Sequence, residues 1–222
     1  MFVHPYTSVM DLGVTEFAIS QGISPRRVLQ LIEQGRVAAR RTGGLWLIDS
    51  RELRRRSFIR RPMSRKMAWA FIGLLSGGAM DPDLDPAETS RLRCRLREVA
   101  EHEDPARLLS SWLHSRCPVA KFAVSRDDGP RFAADARFVL SGISDPRARL
   151  SSSGEFEGYV MGNDLAALTQ DFLLVPSSQP NVLLHVVDHA IGSPAPLGLV
   201  IADLADRNSP REDAQVARLL GR

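Results

Sequence analysis

Residues 24–49 read SPRRVLQLIEQGRVAARRTGGLWLID, and no other stretch of the chain restricts the local backbone so tightly. Ser24 suits a helix N-cap and Pro25 the first helical position, while Ile23 and Val28 stand where a hydrophobic staple closes, so a helix is predicted to begin at about residue 25. Val28, Leu31 and Ile32 follow the i, i+3, i+4 rule and face a core, which turns Arg26, Arg27, Gln30 and Gln34 outward. Gly35 ends the helix, because glycine readily takes the left-handed conformation. Upstream, Val14, Phe17 and Ala18 mark an earlier helix closed by Gly22, so the two helices are separated by about three residues, the outline of a helix-turn-helix. Downstream, VAARR and LWLID flank Thr42-Gly43-Gly44 and predict a tight hairpin, or wing. Asp49 is placed to cap a third helix, with Glu52 completing a capping box and Ile48 stapled to Leu53. Arg54, Arg55 and Arg56 cannot all lie on one face of that helix.

Charge separates this region from the rest. Of 29 Lys and Arg and 26 Asp and Glu in the 222 residues, residues 1–66 hold thirteen bases and five acids, leaving sixteen bases against twenty-one acids beyond. A basic amino-terminal part that binds a polyanion, joined to a neutral-to-acidic body, accounts for that asymmetry. A basic face that is merely solvated accounts for it equally well on charge alone, and the helix and hairpin grammar decides for the first.

The run from Gly13 to Leu53 resembles the winged helix-turn-helix of the excisionase and MerR group. The shared order is a first helix ending in Gly-Ile-Ser, a second ending in Gln-Gly-Arg, and a basic hairpin closing on Trp and Ile. The resemblance implies binding of double-stranded DNA through Arg26, Arg27 and Gln30 on the second helix and through Arg40 and Arg41 on the wing. Within that set Arg27 and Gln30, one turn apart, are the residues suited to the major groove, where Arg pairs with guanine and Gln with adenine. Arg26, Arg40 and Arg41 suit phosphates. Trp46 is expected to pack the hairpin onto the helices.

The remainder divides in two. A basic connector, SFIRRPMSRK, leads into an apolar helix over 67–75 with Trp69, Ile72 and Leu75 on one side, broken by Gly77-Gly78 and DPDLDP. Asp85-Pro86-Ala87-Glu88 predicts a capped helix of about fifteen residues carrying Leu92, Leu96 and Val99, and Asp104-Pro105 starts another with Leu108, Leu109, Trp112 and Leu113. Beyond residue 118, FVLSGI, FEGYV, DFLLV, NVLLHVVD and PLGLVIAD read as strands of a mixed sheet. DLAALTQ is expected to form a helix among them, and Ser209-Pro210-Arg211-Glu212 to open a last one bearing Val216, Leu219 and Leu220. The fold class expected is α+β: a winged helix-turn-helix over 1–60, a helical connector region over 61–118, and a mixed α/β domain over 119–222.

Catalytic signals are weak. His185 and His189 around Asp188 lie about 13 Å apart on an extended strand, too far to share an ion, so no metal is expected. There is no Gly-rich phosphate loop, no GxSxG and no HExxH, so no cofactor and no enzyme activity are expected. Asp203 with Arg211 and Glu212 reads as helix capping plus an ion pair. Cys94 and Cys117 match neither metal nor redox spacing and read as two reduced thiols packed in helices. With no apolar run near 18 residues and no basic-then-apolar leader, no membrane partner is expected and a cytoplasmic location follows.

A winged helix-turn-helix, the connector RPMSRKMAWAFIGLLSG and the terminus LGLVIADLADRNSPREDAQVARLLG together resemble the AbiEi-type antitoxins of type IV toxin-antitoxin systems, encoded beside nucleotidyltransferase toxins. At the terminus the likeness rests on Asp203-Leu204, the Ser-Pro-Arg-Glu turn and the closing Ala/Leu helix, over about the last fifty residues. It implies a DNA-binding antitoxin that represses its own operon and neutralises a partner nucleotidyltransferase toxin. The alternative is a MerR/excisionase-like regulator whose body responds to a small ligand and has no toxin partner. A homodimer is expected because one small platform reads few bases and a second half-site adds affinity.

Overall fold

The computed structural model describes residues 11–21, 23–33, 37, 39–49, 61–151 and 154–221. The chain is α+β and divides into two units, Met1–Ile59 and Arg60–Arg222.

In the first unit β1 (Asp11–Gly13) leads into α1 (Val14–Gln21) and α2 (Pro25–Glu33), followed by β2 (Ala39–Thr42) and β3 (Leu45–Asp49). The Arg27 amide donates to Ser24 Oγ at 3.3 Å, so Ser24 caps α2 as its sequence position predicts. Gly43 and Gly44 take φ of +58° and +86°, the left-handed pair that a two-residue hairpin needs, and Thr42 faces Leu45 across the turn. The strands run antiparallel in the order β1-β3-β2. Phe17, Ala18, Val28, Leu31, Ile32, Val37 and Ile48 form one core, against which Ile23 and Trp46 pack. Asp49 is the last residue of β3. The closures at Gly22 and Gly35, the outward Gln34, and the third helix with Glu52, Leu53 and Arg54 to Arg56 lie outside the described residues.

The second unit opens with α3 (Arg65–Leu75), α4 (Pro86–Glu101) and α5 (Pro105–Leu113). The capping box predicted for α4 is complete: the Glu88 amide donates to Asp85 Oδ1 at 2.6 Å and the Asp85 amide to Glu88 Oε2 at 3.1 Å. Asp104 caps α5 in the same way, accepting from the Arg107 amide at 3.1 Å. Then follow β4 (Val119–Ala123), α6 (Gly129–Ala133), β5 (Val139–Leu140), two short 3-10 turns, β6 (Phe156–Met161), α7 (Gly162–Asp171), β7 (Val175–Pro176), β8 (Val182–Val187), α8 (Leu197–Asp206) and α9 (Pro210–Leu219). The strands make one mixed sheet in the order β5-β6-β8-β4-β7, in which only β6 and β8 are parallel neighbours.

Two cores flank this sheet. Tyr159 and Val187 pack with Phe71 and Ile72 of α3, Leu108, Leu109, Trp112 and Leu113 of α5, the apolar side chains of α8, and Val216 of α9. Val160, Val182 and Leu184 pack on the opposite face with Phe132, Phe138, Leu168 and Phe172. The helices between 61 and 118 therefore share a core with α8 and α9 and belong to the same unit as the sheet, instead of forming a connector region of their own.

Several sequence expectations are corrected. PLGLVIAD is not a strand: Leu197–Asp206 is a helix with every residue from Gly198 to Ala205 buried. A helix enclosed on all sides has no polar face, so its sequence loses the 3.6-residue signature and reads like a buried strand. DFLLV contributes the end of α7 and the two-residue β7. VAKFA, absent from the expected strands, is the strand β4. Leu96 is 38% exposed, so the buried stripe of α4 is Leu92 and Val99. Cys94 is exposed on α4, and Cys117 is buried between α5 and β4, outside any helix. Among the described residues no helix is long and apolar enough to cross a membrane.

Candidate functional site

Two polar constellations stand out, one on each unit. On the first unit, burial of Val28, Leu31 and Ile32 leaves Arg26, Arg27 and Gln30 exposed on α2. Arg27 Nη1 donates to Gln30 Oε1 at 3.1 Å, so the two predicted base-reading side chains touch across one helical turn. On the hairpin, consecutive strand residues point to opposite faces, and this separates the two predicted phosphate ligands. Arg41 sits opposite Trp46 in the β2–β3 register, its guanidinium 5.8 Å from the indole centroid. Arg40 sits opposite Leu47 and forms an ion pair with Asp11. All five predicted DNA contacts are thus exposed, but Arg40 already holds a carboxylate whereas Arg41 rests on an aromatic ring.

The second constellation lies inside the second unit and joins four elements. Glu157 and Tyr159 stand two residues apart on β6 and therefore on one face, and the β6–β8 register sets His185 beside Tyr159, their rings stacked at 4.8 Å. Asp203 comes from α8, and Arg116 from the chain just after α5. Asp203, His185, Glu157, Tyr159 and Arg116 are each no more than 3% exposed.

Every polar atom of that cluster finds a reason for its burial. Arg116 donates from Nε to Tyr159 Oη at 3.1 Å, from Nη1 to the Leu113 carbonyl at 2.9 Å and to Asp206 Oδ2 at 2.6 Å, and from Nη2 to Asp203 Oδ1. Tyr159 Oη donates to the same Asp203 oxygen at 2.9 Å, and Ser141 Oγ donates to Asp203 Oδ2. Glu157 Oε2 accepts from Arg207 Nε at 3.1 Å and Nη2 at 3.0 Å. Gly142, at φ +53°, lies against this carboxylate, and a Cβ there would stand 2.4 Å from Glu157 Oε2.

His185 bridges the two carboxylates, with Nε2 3.3 Å from Glu157 Oε1 and 3.4 Å from Asp203 Oδ1. Burial by itself lowers its pKa. The Asp203 charge and hydrogen bonds to Cys117 and Glu157 outweigh burial and push it up to about 10. With His185 protonated, three cations (Arg116, Arg207, His185) meet the carboxylates of Asp203, Glu157 and Asp206, and Arg207 also holds the more exposed Glu155. Burial likewise pushes the Tyr159 phenol well up, so it stays a donor.

Glu157, His185 and Asp203 offer three ligand atoms within 4.8 Å of one another, which is a spacing a cation can use. The donor set argues otherwise. Asp203 Oδ1 already receives Arg116 and Tyr159, so an ion on that oxygen has to displace a buried guanidinium. Cys117 Sγ lies 3.8 Å from His185 Nδ1, on the side of the ring away from the carboxylates. Thiol, imidazole and acid in that order can make a nucleophile, but here Cys117 is 7% exposed and both acids are buried. What the arrangement does is bind the end of α5, β6, β8 and α8 to one another.

Sequence reasoning placed Asp203 with Arg211 and Glu212. Arg211 and Glu212 instead pair with each other at 2.9 Å, and Asp203 turns inward to Arg116. His189 lies beyond β8, exposed, paired with Asp188 at 3.0 Å and packed 4.5 Å from the Trp69 ring. Comparison of the chain with protein-family models, with curated proteins and with solved structures finds no match.

Proposed function

We propose that this chain binds double-stranded DNA through a winged helix-turn-helix in its first unit, with α2 as the recognition helix and the β2–β3 hairpin as the wing. The observation that carries this reading is the division of α2 into a buried apolar face and an exposed face holding Arg26, Arg27 and Gln30, with Arg41 exposed on the neighbouring hairpin. Arg27→Ala should weaken binding to the preferred duplex by about 1–3 kcal/mol and relax base discrimination, whereas Arg41→Ala should weaken preferred and random DNA alike and reduce the salt slope by about one. Titrating both variants against specific and scrambled duplexes at several salt concentrations checks this, and equal losses on both DNAs for both variants would sink the assignment of roles.

On the resemblance of the carboxy-terminal segment to AbiEi-type proteins, the role proposed is that of an antitoxin that represses its own operon and counteracts a nucleotidyltransferase encoded beside it. Co-expression with the adjacent gene product tests this. The wild-type chain should restore growth, and the Arg27→Ala/Gln30→Ala double variant should still restore growth while losing repression of its own promoter. If the neighbouring product is not toxic, or if neither form restores growth, the reading moves to a regulator responding to a small ligand.

A further inference from the structure

The β4 register puts Val119 opposite His185, Lys121 opposite Leu183 and, through β7, Ala123 opposite Val175, so all six residues share one face of the sheet. On the β6–β8 side that face is covered by helices, with Tyr159 and Val187 in the core. On the β4–β7 side the cover stops. Val119 is 42% and Val175 60% exposed, and Val119, Ala123 and Val175 belong to neither core, although the reverse face of β4 is packed through Ala120 and Phe122. Beside Val175 stands Leu173, 78% exposed at φ +49°. A leucine in left-handed backbone is strained where glycine is not, and here it gains little burial among the described residues of the second unit in return. Neither the backbone nor a core of this unit accounts for an apolar side chain at that position.

We propose that this uncovered half of the sheet, with Leu173 at its margin, is where a second copy of the chain packs. An apolar patch is self-complementary across a twofold axis, and contacts across such an axis come in reciprocal pairs. Charge fits the same arrangement. Lys121 on this face and Asp127 in the loop that follows β4 are both exposed, and neither has an ion-pair partner among the described residues. One twofold contact pairs Lys121 with Asp127 of the other copy, twice over. The proposal rests on the sheet of the second unit and does not depend on the DNA-binding reading.

Sedimentation equilibrium of the full chain decides it. The wild type should dimerise with rising concentration, and Val175→Asp should weaken dimerisation by about 100-fold because both copies lose an apolar contact. Leu173→Gly separates association from folding: it relieves the left-handed strain, so its Tm should be no lower than that of the wild type, while its dimer weakens. Lys121→Asp should weaken the dimer and Lys121→Asp/Asp127→Lys should restore it. A wild type that remains monomeric at about 100 µM, where a dimer of micromolar Kd is populated, overturns the proposal. So does a dimer that Val175→Asp and Leu173→Gly leave unchanged.

Discussion

Arg116→Met is expected to lower the free energy of unfolding of the second unit by about 3–5 kcal/mol. The guanidinium is 1% exposed and joins two carboxylates, the Tyr159 hydroxyl and the Leu113 carbonyl, so solvent screening does not soften its loss. Methionine fills much of the same volume but leaves the Asp203 carboxylate, fully buried, with a charge and no permanent cation against it. Removing both charges is a different experiment from removing one: Arg116→Met combined with Asp203→Leu should cost clearly less than the sum of the single changes, because no uncompensated charge remains. Urea unfolding followed by far-ultraviolet circular dichroism gives both numbers. A single-variant loss below about 1 kcal/mol, the range of exposed ion pairs, would show that the network contributes no more than a surface contact does.

That network also explains which parts of the molecule were legible in the sequence. Local signals carried through at four described places: Ser24, Asp85 and Asp104 cap the helices they precede, and Gly43-Gly44 turns the hairpin. Each of these depends on residues within four positions of one another. The mixed sheet was legible through its apolar runs, but α8 was not distinguishable from a strand, because burial on every side erases the period that tells the two apart. The buried cluster was half visible. Glu157 and Tyr159 in FEGYVM, His185 in VLLHVV and Asp203 in LVIADLA are polar residues inside apolar runs, and such residues need partners. Arg116, the partner of two of them, lies 87 positions from Asp203 and 43 from Tyr159, and no local rule joins them. On the first unit the outward set of α2 was legible from helical spacing, whereas the pairing of Arg40 with Asp11 depended on a strand, β1, that the sequence reading did not place.

Stability should fall as pH rises above neutrality, and His185 should be responsible for a separable part of the fall. Its folded pKa, about 10, stands above the ordinary value of about 6.5, so between those limits the folded chain binds the proton more tightly than the unfolded chain does. Where the native state binds more protons, the free energy of unfolding decreases with pH. The contribution of His185 is therefore fully present below about pH 6.5 and is lost as pH climbs through about 10. A shift of this size corresponds to a few kcal/mol, on the order of 1.4 per pH unit of displacement. Losing the proton leaves Glu157 and Asp203 facing each other across a neutral ring with one cation fewer in the cluster, which is the physical source of the cost. Cysteine, tyrosine and lysine titrate over the same range, so the informative quantity is the difference between the wild type and His185→Gln in unfolding free energy from pH 6 to pH 10. The wild type should start more stable and converge on the variant at the alkaline end. Parallel curves would mean that His185 stays neutral between its two carboxylates, and that Arg116 and Arg207 alone hold the cluster together.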